Sequence, residues 1–316
     1  MDDALMERLI KDLLLGSLAP STAKKYCASQ SLFANFCRSL NVVPVPCAKG
    51  TLLKFIVWLR HHRKVGPEAL RGYLSAIRHL HIINGVEFAA TDDPRVKVVK
   101  KAANKREKGK DSRRPITFEI LDRFHGYIVR DFSYSNLLFL TASVVGYCGF
   151  LRVSEICAVA GASRPSGIRL VDLGFTEGSL VLSIPISKTD INREGSKVFI
   201  KPLGDNRTCP IKLLEQFLGR RPRTAQDWPL FIHQDRSPMS AAWFRTALKD
   251  KCGALGLTGK FNSHSLRIGA ASDASRRGVP GHVIKLLGRW KSDSFERYIR
   301  PSGDQLAEAV RTFAVV

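Results

Sequence analysis

A chain of 316 residues, 44% of them hydrophobic, is long enough for two domains with separate cores and too apolar to be disordered throughout. Its 50 Lys and Arg against 28 Asp and Glu give a net charge of +22, which favours polyanions over neutral small molecules as partners. We expect no membrane association, because the sequence has no apolar run of roughly 18 residues and no signal-peptide pattern at its start. Nucleic acid is the expected partner, in the nucleus if the source is eukaryotic and otherwise in the bacterial cytoplasm.

The seven cysteines are widely spaced, odd in number and without a CxxC pair. Such a pattern is typical of reduced, mostly buried thiols in a cytosolic or nuclear protein. We therefore expect neither a disulfide framework nor a zinc site.

The first hundred residues show only helical patterns. Ser21 and Thr22 are predicted to cap a helix that runs towards Leu40, Thr51 to cap a second helix, and Pro67 to open a third. No strand pattern competes in this part of the sequence, so the first domain is predicted to be all-helical.

A candidate DNA interface lies on two of these helices. Arg71, Ser75 and Arg78 fall on one side of the third helix at spacing i, i+4, i+7, opposite its apolar side. Lys24 and Lys25 lie near the start of an earlier helix. These residues are candidates for phosphate contact, although an ordinary solvated helix face gives the same spacing.

A basic segment divides the chain. Between Lys97 and Arg114 there are nine Lys or Arg in eighteen residues, with few apolar positions. We predict a helical DNA-binding domain over residues 1–103, a basic linker over 104–115 and a second domain over 116–316. The linker could follow DNA phosphates or serve as a nuclear import signal, and a plain solvated segment is the alternative.

The second domain has a mixed pattern. A long apolar helix is predicted over residues 134–149, with Gly149 ending it just before Arg152. Residues 180–184 and 197–200 are β-rich runs joined by the polar stretch 187–195, which indicates a hairpin with Lys188 near its tip. Helices return from Ser240 to the end.

Six residues in this domain form a candidate catalytic set. An HxxR tetrapeptide at 264–267 is a weak signal alone, since a lone histidine is usually structural. Its weight comes from the full set of residues to which it belongs: Arg152, Lys188, His264, Arg267, Trp290 and Tyr298.

The order and spacing of these residues resemble the tyrosine recombinase (phage integrase) family over nearly the whole chain. Residues 264–273, 288–290 and 298–300 are particularly similar to Cre-type catalytic ends. Residues 188–190, 193–195 and 288–293 look more like the recombinases of DIRS-type retrotransposons and Crypton elements. The resemblance implies a mostly α fold with a small antiparallel β-sheet: an N-terminal all-helical, SAM-like core-binding domain followed by an α+β catalytic domain.

The residue types suit attack on a phosphodiester. The guanidiniums of Arg152 and Arg267 can grip non-bridging phosphate oxygens and offset the charge of a pentacovalent transition state. His264 can assist proton removal from the nucleophile or bond the phosphate. Lys188 can protonate the departing 5′-oxygen as a general acid, with Lys197 as the second candidate.

The resemblance further implies that Tyr298 forms a 3′-phosphotyrosyl bond, which conserves the phosphodiester energy, so we expect no cofactor, neither metal nor ATP. The implied partner is double-stranded DNA with a specific site, bound by a homotetramer on synapsed DNA. Mobile-element integration or excision is the expected role. The alternatives are a type IB topoisomerase and a domesticated DNA-binding protein that no longer cuts.

One position departs from the family pattern. The family's His or Trp usually stands nine residues before the tyrosine, which here is Arg289. Counted from Arg267, the position falls instead on Trp290, and we choose Trp290 because its residue type fits. If Arg289 occupies the position, a third guanidinium joins the phosphate clamp. Glu155 matches an acidic position of the family and is expected to orient its neighbours.

A final helix is predicted after the tyrosine. Ser302 can cap it, and Leu306, Val310 and Phe313 fall at i, i+4, i+7. Family resemblance implies docking of this tail on a neighbouring subunit, and docking on its own domain is the alternative.

Overall fold

The computed structural model describes residues 2–105, 113–158, 167–176, 178–184, 195–204 and 206–299, together with residues 307, 310 and 311. The chain forms two compact units, residues 1–110 and 111–316. The predicted fold class, mostly α with a small antiparallel sheet, is confirmed. Within the described ranges no helix is long and apolar enough to cross a membrane.

The first unit consists of helices around one apolar core. Its centre is an aromatic group in which Phe33 packs edge-to-face on Phe55, with ring centroids 5.0 Å apart. The amide of Gln30 also donates to the carbonyl of Ala76, at 3.0 Å, and so ties the second helix to the fourth. The helices are α1 Asp3–Gly16, α2 Pro20–Ser39, α3 Lys49–His61, α4 Pro67–Ile83 and α5 Pro94–Lys105.

Two of the three predicted helix starts in this unit are wrong. Helix α2 begins at Pro20, so Ser21 and Thr22 lie inside its first turn. Proline suits that position because its fixed φ is helical and it needs no hydrogen-bond acceptor there. Thr51 lies inside the first turn of α3 and is buried against the core instead of capping. The third start, Pro67, is confirmed.

The second unit is built around one fully apolar helix. Its elements are α6 Phe118–Ile128, α7 Tyr134–Cys148, α8 Val153–Ile156, β1 Leu173–Thr176, β2 Ser179–Ile184, β3 Ser196–Ile200, α9 Pro210–Arg220, α10 Ala241–Ala254, α11 Ser265–Arg276 and α12 Gly281–Leu287. Nearly every side chain of α7 is buried. A helix that is apolar on all sides must be surrounded, and α6, α9 and α11 pack on α7.

The sheet has the order β1-β2-β3, all antiparallel. Leu182 of β2 lies opposite Leu173 of β1 and Val198 of β3, and these residues face the core. The predicted antiparallel pairing of β2 with β3 is therefore confirmed. The stretch 185–194, which carries Lys188, lies outside the described residues.

The start of the second unit is tied to the beginning of α11. Arg113 forms a parallel bridge with Lys260, and the N–H of Ile116 donates to the carbonyl of Ser265 at 2.9 Å. One turn further along α11, a Cβ on Gly269 would lie 1.7 Å from the carbonyl oxygen of Ile116. Glycine thus allows α11 to pack directly on this backbone.

We expect Gly269→Ala to lower the free energy of unfolding by at least about 2 kcal/mol, since overpacking against backbone cannot relax locally. Gly253→Ala in α10 is the matched control, because a Cβ there meets nothing within 4 Å. This control is expected to raise stability by about 0.5–1 kcal/mol. Chemical denaturation of both variants measures the difference, and equal effects would contradict the close packing at Ile116.

Candidate active site

The site begins where α7 ends. Gly149 follows the last helical residue, and its N–H still donates to the carbonyl of Val145 at 2.9 Å. Phe150 then adopts a left-handed conformation, with φ of 48°. This turn ends the helix, as predicted, and leads the chain to Arg152.

Arg152 precedes the short helix α8 and is fixed by Glu155. Its Nη1 donates to Oε1 of Glu155 at 2.8 Å, and its backbone N–H donates to Oε2 at 2.8 Å. Glu155 is only 4% exposed. A buried carboxylate requires such partners, so Glu155 orients the Arg152 guanidinium, as the sequence predicted.

Arg267 lies in the first turn of α11 and is 4% exposed. Its Nη1 donates to the carbonyl of Phe150 and its Nη2 to the carbonyl of Gly288. The guanidinium carbon lies 4.3 Å from the centre of the Trp290 ring. This is a cation–π contact, in which the indole covers one face of the guanidinium.

Burial, followed by the like charge of Arg152, lowers the pKa of Arg267 to about 9. The charge of Arg289 also lowers this pKa, whereas Glu155 and Tyr298 raise it. Burial also lowers the pKa of Arg289. The site therefore gathers guanidiniums whose charge is disfavoured until an anion approaches.

Residues 288–290 send their two large side chains in different directions. Nη2 of Arg289 donates to Oε2 of Glu155 at 2.7 Å, and its Nη1 donates to the carbonyl of Gly149 at 3.2 Å. The Trp290 ring instead lies over Gly288, where an added Cβ would come within 1.6 Å of it. Arg289 thus meets the buried carboxylate, whereas Trp290 meets Arg267.

Tyr298 ends a 3₁₀ helix, Asp293–Tyr298, and is partly buried. Its ring lies 6.3 Å from the Trp290 ring and 5.9 Å from the Arg113 guanidinium carbon. Its carbonyl accepts a hydrogen bond from the Ser272 hydroxyl at 2.9 Å. The indole of Trp290 thus contacts both the tyrosine and Arg267.

The remaining predicted residues are placed differently. His264 stands at the N-cap of α11 and is exposed, and its backbone N–H donates to Oδ1 of Asn262 at 2.8 Å. Lys188 lies outside the described residues. Lys197, its predicted substitute, is exposed on β3, on the face opposite Val198.

The structure gathers four of the six predicted catalytic residues into one cluster, which also includes Glu155 and Arg289. The four are Arg152, Arg267, Trp290 and Tyr298. Sequence reasoning did not single out Ser272 or Arg113, since a serine inside a helix and an arginine in a basic run carry no local signal of a contact with Tyr298. Chemically, the cluster can hold a phosphate between guanidiniums next to a tyrosine nucleophile.

The five predicted DNA-binding residues are all exposed on α2 and α4 of the first unit: Lys24, Lys25, Arg71, Ser75 and Arg78. Arg71 forms an exposed ion pair with Glu68 on the same helix. Such exposed pairs contribute little stability, so Arg71 can exchange its partner for another anion.

The cysteines are free in the structure, four buried and one, Cys27, exposed. Over the described parts of the chain, His, Cys, Asp and Glu residues do not form any group of three or more that could hold a metal ion.

The model of the Phage integrase family matches residues 140–302, just over half of the chain. This range includes every residue of the cluster. A search of curated protein sequences gives no match.

Several solved structures share the fold at low sequence identity. A variant of the Tn1549 transposon integrase in complex with transposon right end DNA has a TM-score of 0.65 at 12% identity, covering 95% of this chain and 96% of that chain. XerH site-specific recombinase, in a post-cleavage complex with a palindromic difH substrate, has a TM-score of 0.64 at 13% identity, covering 92% and 80%. A lambda integrase dimer bound to a COC′ core site has a TM-score of 0.60 at 16% identity, covering 95% of both chains.

The match over residues 140–302 covers more than half of the chain, and the helical fold with its small sheet agrees with it. The chain therefore belongs to the phage integrase family of tyrosine recombinases.

Proposed function

We propose that the protein is a site-specific DNA recombinase or integrase that cleaves and rejoins DNA through a 3′-phosphotyrosyl intermediate. The observation that carries this proposal is the position of Tyr298 beside a buried guanidinium cluster, connected to Arg267 through the Trp290 ring. Those groups supply a nucleophile and a charge clamp, which are the two requirements of phosphodiester transesterification.

In the proposed step the phenol oxygen of Tyr298 forms a bond to phosphorus while the bond from phosphorus to the 5′-oxygen breaks. Arg152 and Arg267 bind the non-bridging oxygens as negative charge grows. His264 assists removal of the phenol proton, and Lys188 protonates the departing 5′-oxygen. Because one phosphodiester is exchanged for another, the reverse step reseals DNA without ATP, and the guanidiniums supply the charge that a metal would otherwise provide.

We further propose that the protein acts on a mobile element. The resemblance of residues 288–293 to DIRS-type and Crypton recombinases supports this, as does the shared fold with a transposon integrase solved on transposon end DNA. The high positive charge suits a protein that binds long stretches of DNA.

Assembly into a tetramer on two synapsed sites is also proposed. Structures of the same fold include a dimer on one core site. The second unit has a groove whose lining is mostly apolar and includes Phe118, Phe199, Leu203 and Leu287, which suits an apolar helix from another subunit. The predicted tail residues Leu306 and Phe313 lie outside the described residues, whereas Val310 is helical and exposed.

A pool of nicked suicide substrates tests the proposed chemistry. Cleavage next to the nick releases a short strand and traps the protein on DNA, so wild-type protein should give a covalent adduct that resists denaturation. Absence of an adduct on every pool would refute the enzymatic proposal and favour a DNA-binding protein that no longer cuts. Relaxation of supercoiled DNA without a specific site would favour a type IB topoisomerase.

We expect Arg71→Ala and Arg78→Ala each to weaken DNA binding and to reduce the slope of log K against log salt by about 1, because each removes one phosphate contact. Titrations at several salt concentrations measure this slope. Glu68→Ala is the control: it frees Arg71 from its ion pair and should not weaken binding. An unchanged slope in both arginine variants would show that α4 is not part of the DNA interface.

A further inference from the structure

One buried carboxylate joins two arginines of the site. Oε1 of Glu155 accepts from the Arg152 side chain, whereas Oε2 accepts from the Arg152 backbone and from Nη2 of Arg289. A second link is direct, since Nη2 of Arg152 donates to the Arg289 carbonyl at 3.3 Å. Arg289 therefore holds the Arg152–Glu155 pair with both its side chain and its backbone.

The backbone around Arg289 is shaped for this contact. Arg289 has φ of 53°, a left-handed conformation that non-glycine residues rarely adopt. Its side chain is only 13% exposed. A left-handed, buried arginine persists only when its surroundings hold it, and here the carbonyl of Gly149 and the carboxylate of Glu155 do so.

The charges explain why a second arginine matters. Glu155 with Arg152 alone is a neutral pair, in which the carboxylate draws the guanidinium away from any other anion. With Arg289 on the other oxygen, the carboxylate is neutralised from both sides. The cluster of Arg152, Arg267, Arg289 and Glu155 then carries a net charge of +2, which matches the two negative charges of a pentacovalent phosphate better than the single charge of the ground state.

We propose that Arg289 is a positioning residue for DNA cleavage, which acts through Glu155 to fix the Arg152 guanidinium and to leave its charge available to the scissile phosphate. This inference rests on the proposed function. It assigns different roles to the two neighbours, since Trp290 covers Arg267 while Arg289 acts on Arg152.

The chain offers a matched pair outside the cluster. Arg169 and Asp172 repeat the local arrangement of Arg152 and Glu155, with the backbone N–H and the guanidinium of Arg169 both bonded to the buried carboxylate. Among the described contacts, Arg169 is the one arginine that pairs with the Asp172 carboxylate. Loss of Arg169 thus reports what loss of a partly buried ion pair does to folding alone.

The test measures the single-turnover rate of adduct formation on saturating nicked substrate, with DNA affinity and thermal stability measured in parallel. Arg289→Gln should slow adduct formation on the order of 10²-fold while DNA affinity stays unchanged. Arg289→Lys should recover part of this loss, because it restores the charge facing Glu155. Arg169→Gln should lower thermal stability and leave the rate unchanged.

Two further measurements separate positioning from a structural role. If Arg289 acts through Glu155, the double variant Arg289→Gln with Glu155→Gln should be no slower than the slower single variant, whereas independent roles would multiply the two losses. On a substrate whose scissile phosphate is a neutral methylphosphonate, Arg289→Gln should lose much less, because Arg152 has less charge to offset.

Multiplied losses, or an equal loss on phosphate and methylphosphonate, would overturn the inference. So would an Arg289→Gln protein as fast as the wild type. A wild-type protein that forms no adduct would instead refute the proposed function, and this inference with it, so the two failures are distinguishable.

Discussion

Tyr298→Phe is expected to abolish the covalent DNA adduct and to leave DNA affinity unchanged. The substitution removes only the phenol oxygen, and no other group in the described cluster is a comparable nucleophile. The phenyl ring keeps its place beside Trp290, and the backbone keeps its bond to Ser272. Denaturing gels of suicide-substrate reactions measure the adduct, and band shifts measure the affinity.

Tyr127→Phe is the control for this substitution. Tyr127 is an exposed tyrosine of α6 whose ring contacts the Lys251 ammonium at 5.3 Å, outside the cluster. Its loss should leave the adduct yield unchanged. An adduct that persists in Tyr298→Phe would show that another residue attacks the phosphate.

Replacement of Arg267 should have the second-largest effect. Arg267→Gln removes the most buried positive charge of the site and should slow adduct formation by about 10³-fold or more. Arg267→Lys keeps the charge but lacks the fork that reaches two acceptors at once, so we expect a loss of about 10²-fold. Single-turnover rates measure both losses.

The pH dependence provides an independent check on Arg267. Burial, followed by the charge of Arg152, lowers the pKa of this guanidinium to about 9 in the free protein. Arg267 is therefore charged below this value and loses its proton as the pH rises through it. At subsaturating DNA the adduct rate should fall above about pH 9, whereas at saturating DNA the bound phosphate favours the charged form and should move the fall upward.

Titration of Arg267 should change the free energy of unfolding of the DNA-free protein in the opposite direction to the adduct rate. An unfolded chain holds this proton more tightly than the folded one, so the destabilising contribution of Arg267 is full below about pH 9 and lessens above it. Comparison with Arg267→Gln isolates this contribution. A rate profile at subsaturating DNA that stays flat through pH 10 would contradict the role assigned to the buried charge.

Features that depend on local pattern could be predicted from the sequence. The apolar run over 134–149 can only be a surrounded helix, and Gly149 ends it just before Arg152. The β-rich runs at 180–184 and 197–200 predict two strands, which pair as expected. Strand β1 and helix α9 were not predicted individually.

What could not be predicted depends on tertiary contact or on a choice among equivalent local signals. Ser21 and Thr22 look like a cap, but the neighbouring Pro20 takes the first position of α2. The separate directions of Arg289 and Trp290 follow from a left-handed turn, the buried Glu155 and the packing of an indole on Gly288. Spacing alone leaves both residues as candidates for one position, whereas the structure gives each its own partner.

The two carbonyls that hold Arg267 have a consequence for how a phosphate binds in the site. The guanidinium of Arg267 bonds the carbonyls of Phe150 and Gly288, which are neutral groups. A phosphate is a stronger acceptor than a carbonyl. Arg267 can therefore exchange its carbonyl acceptors for a substrate phosphate without first breaking an ion pair.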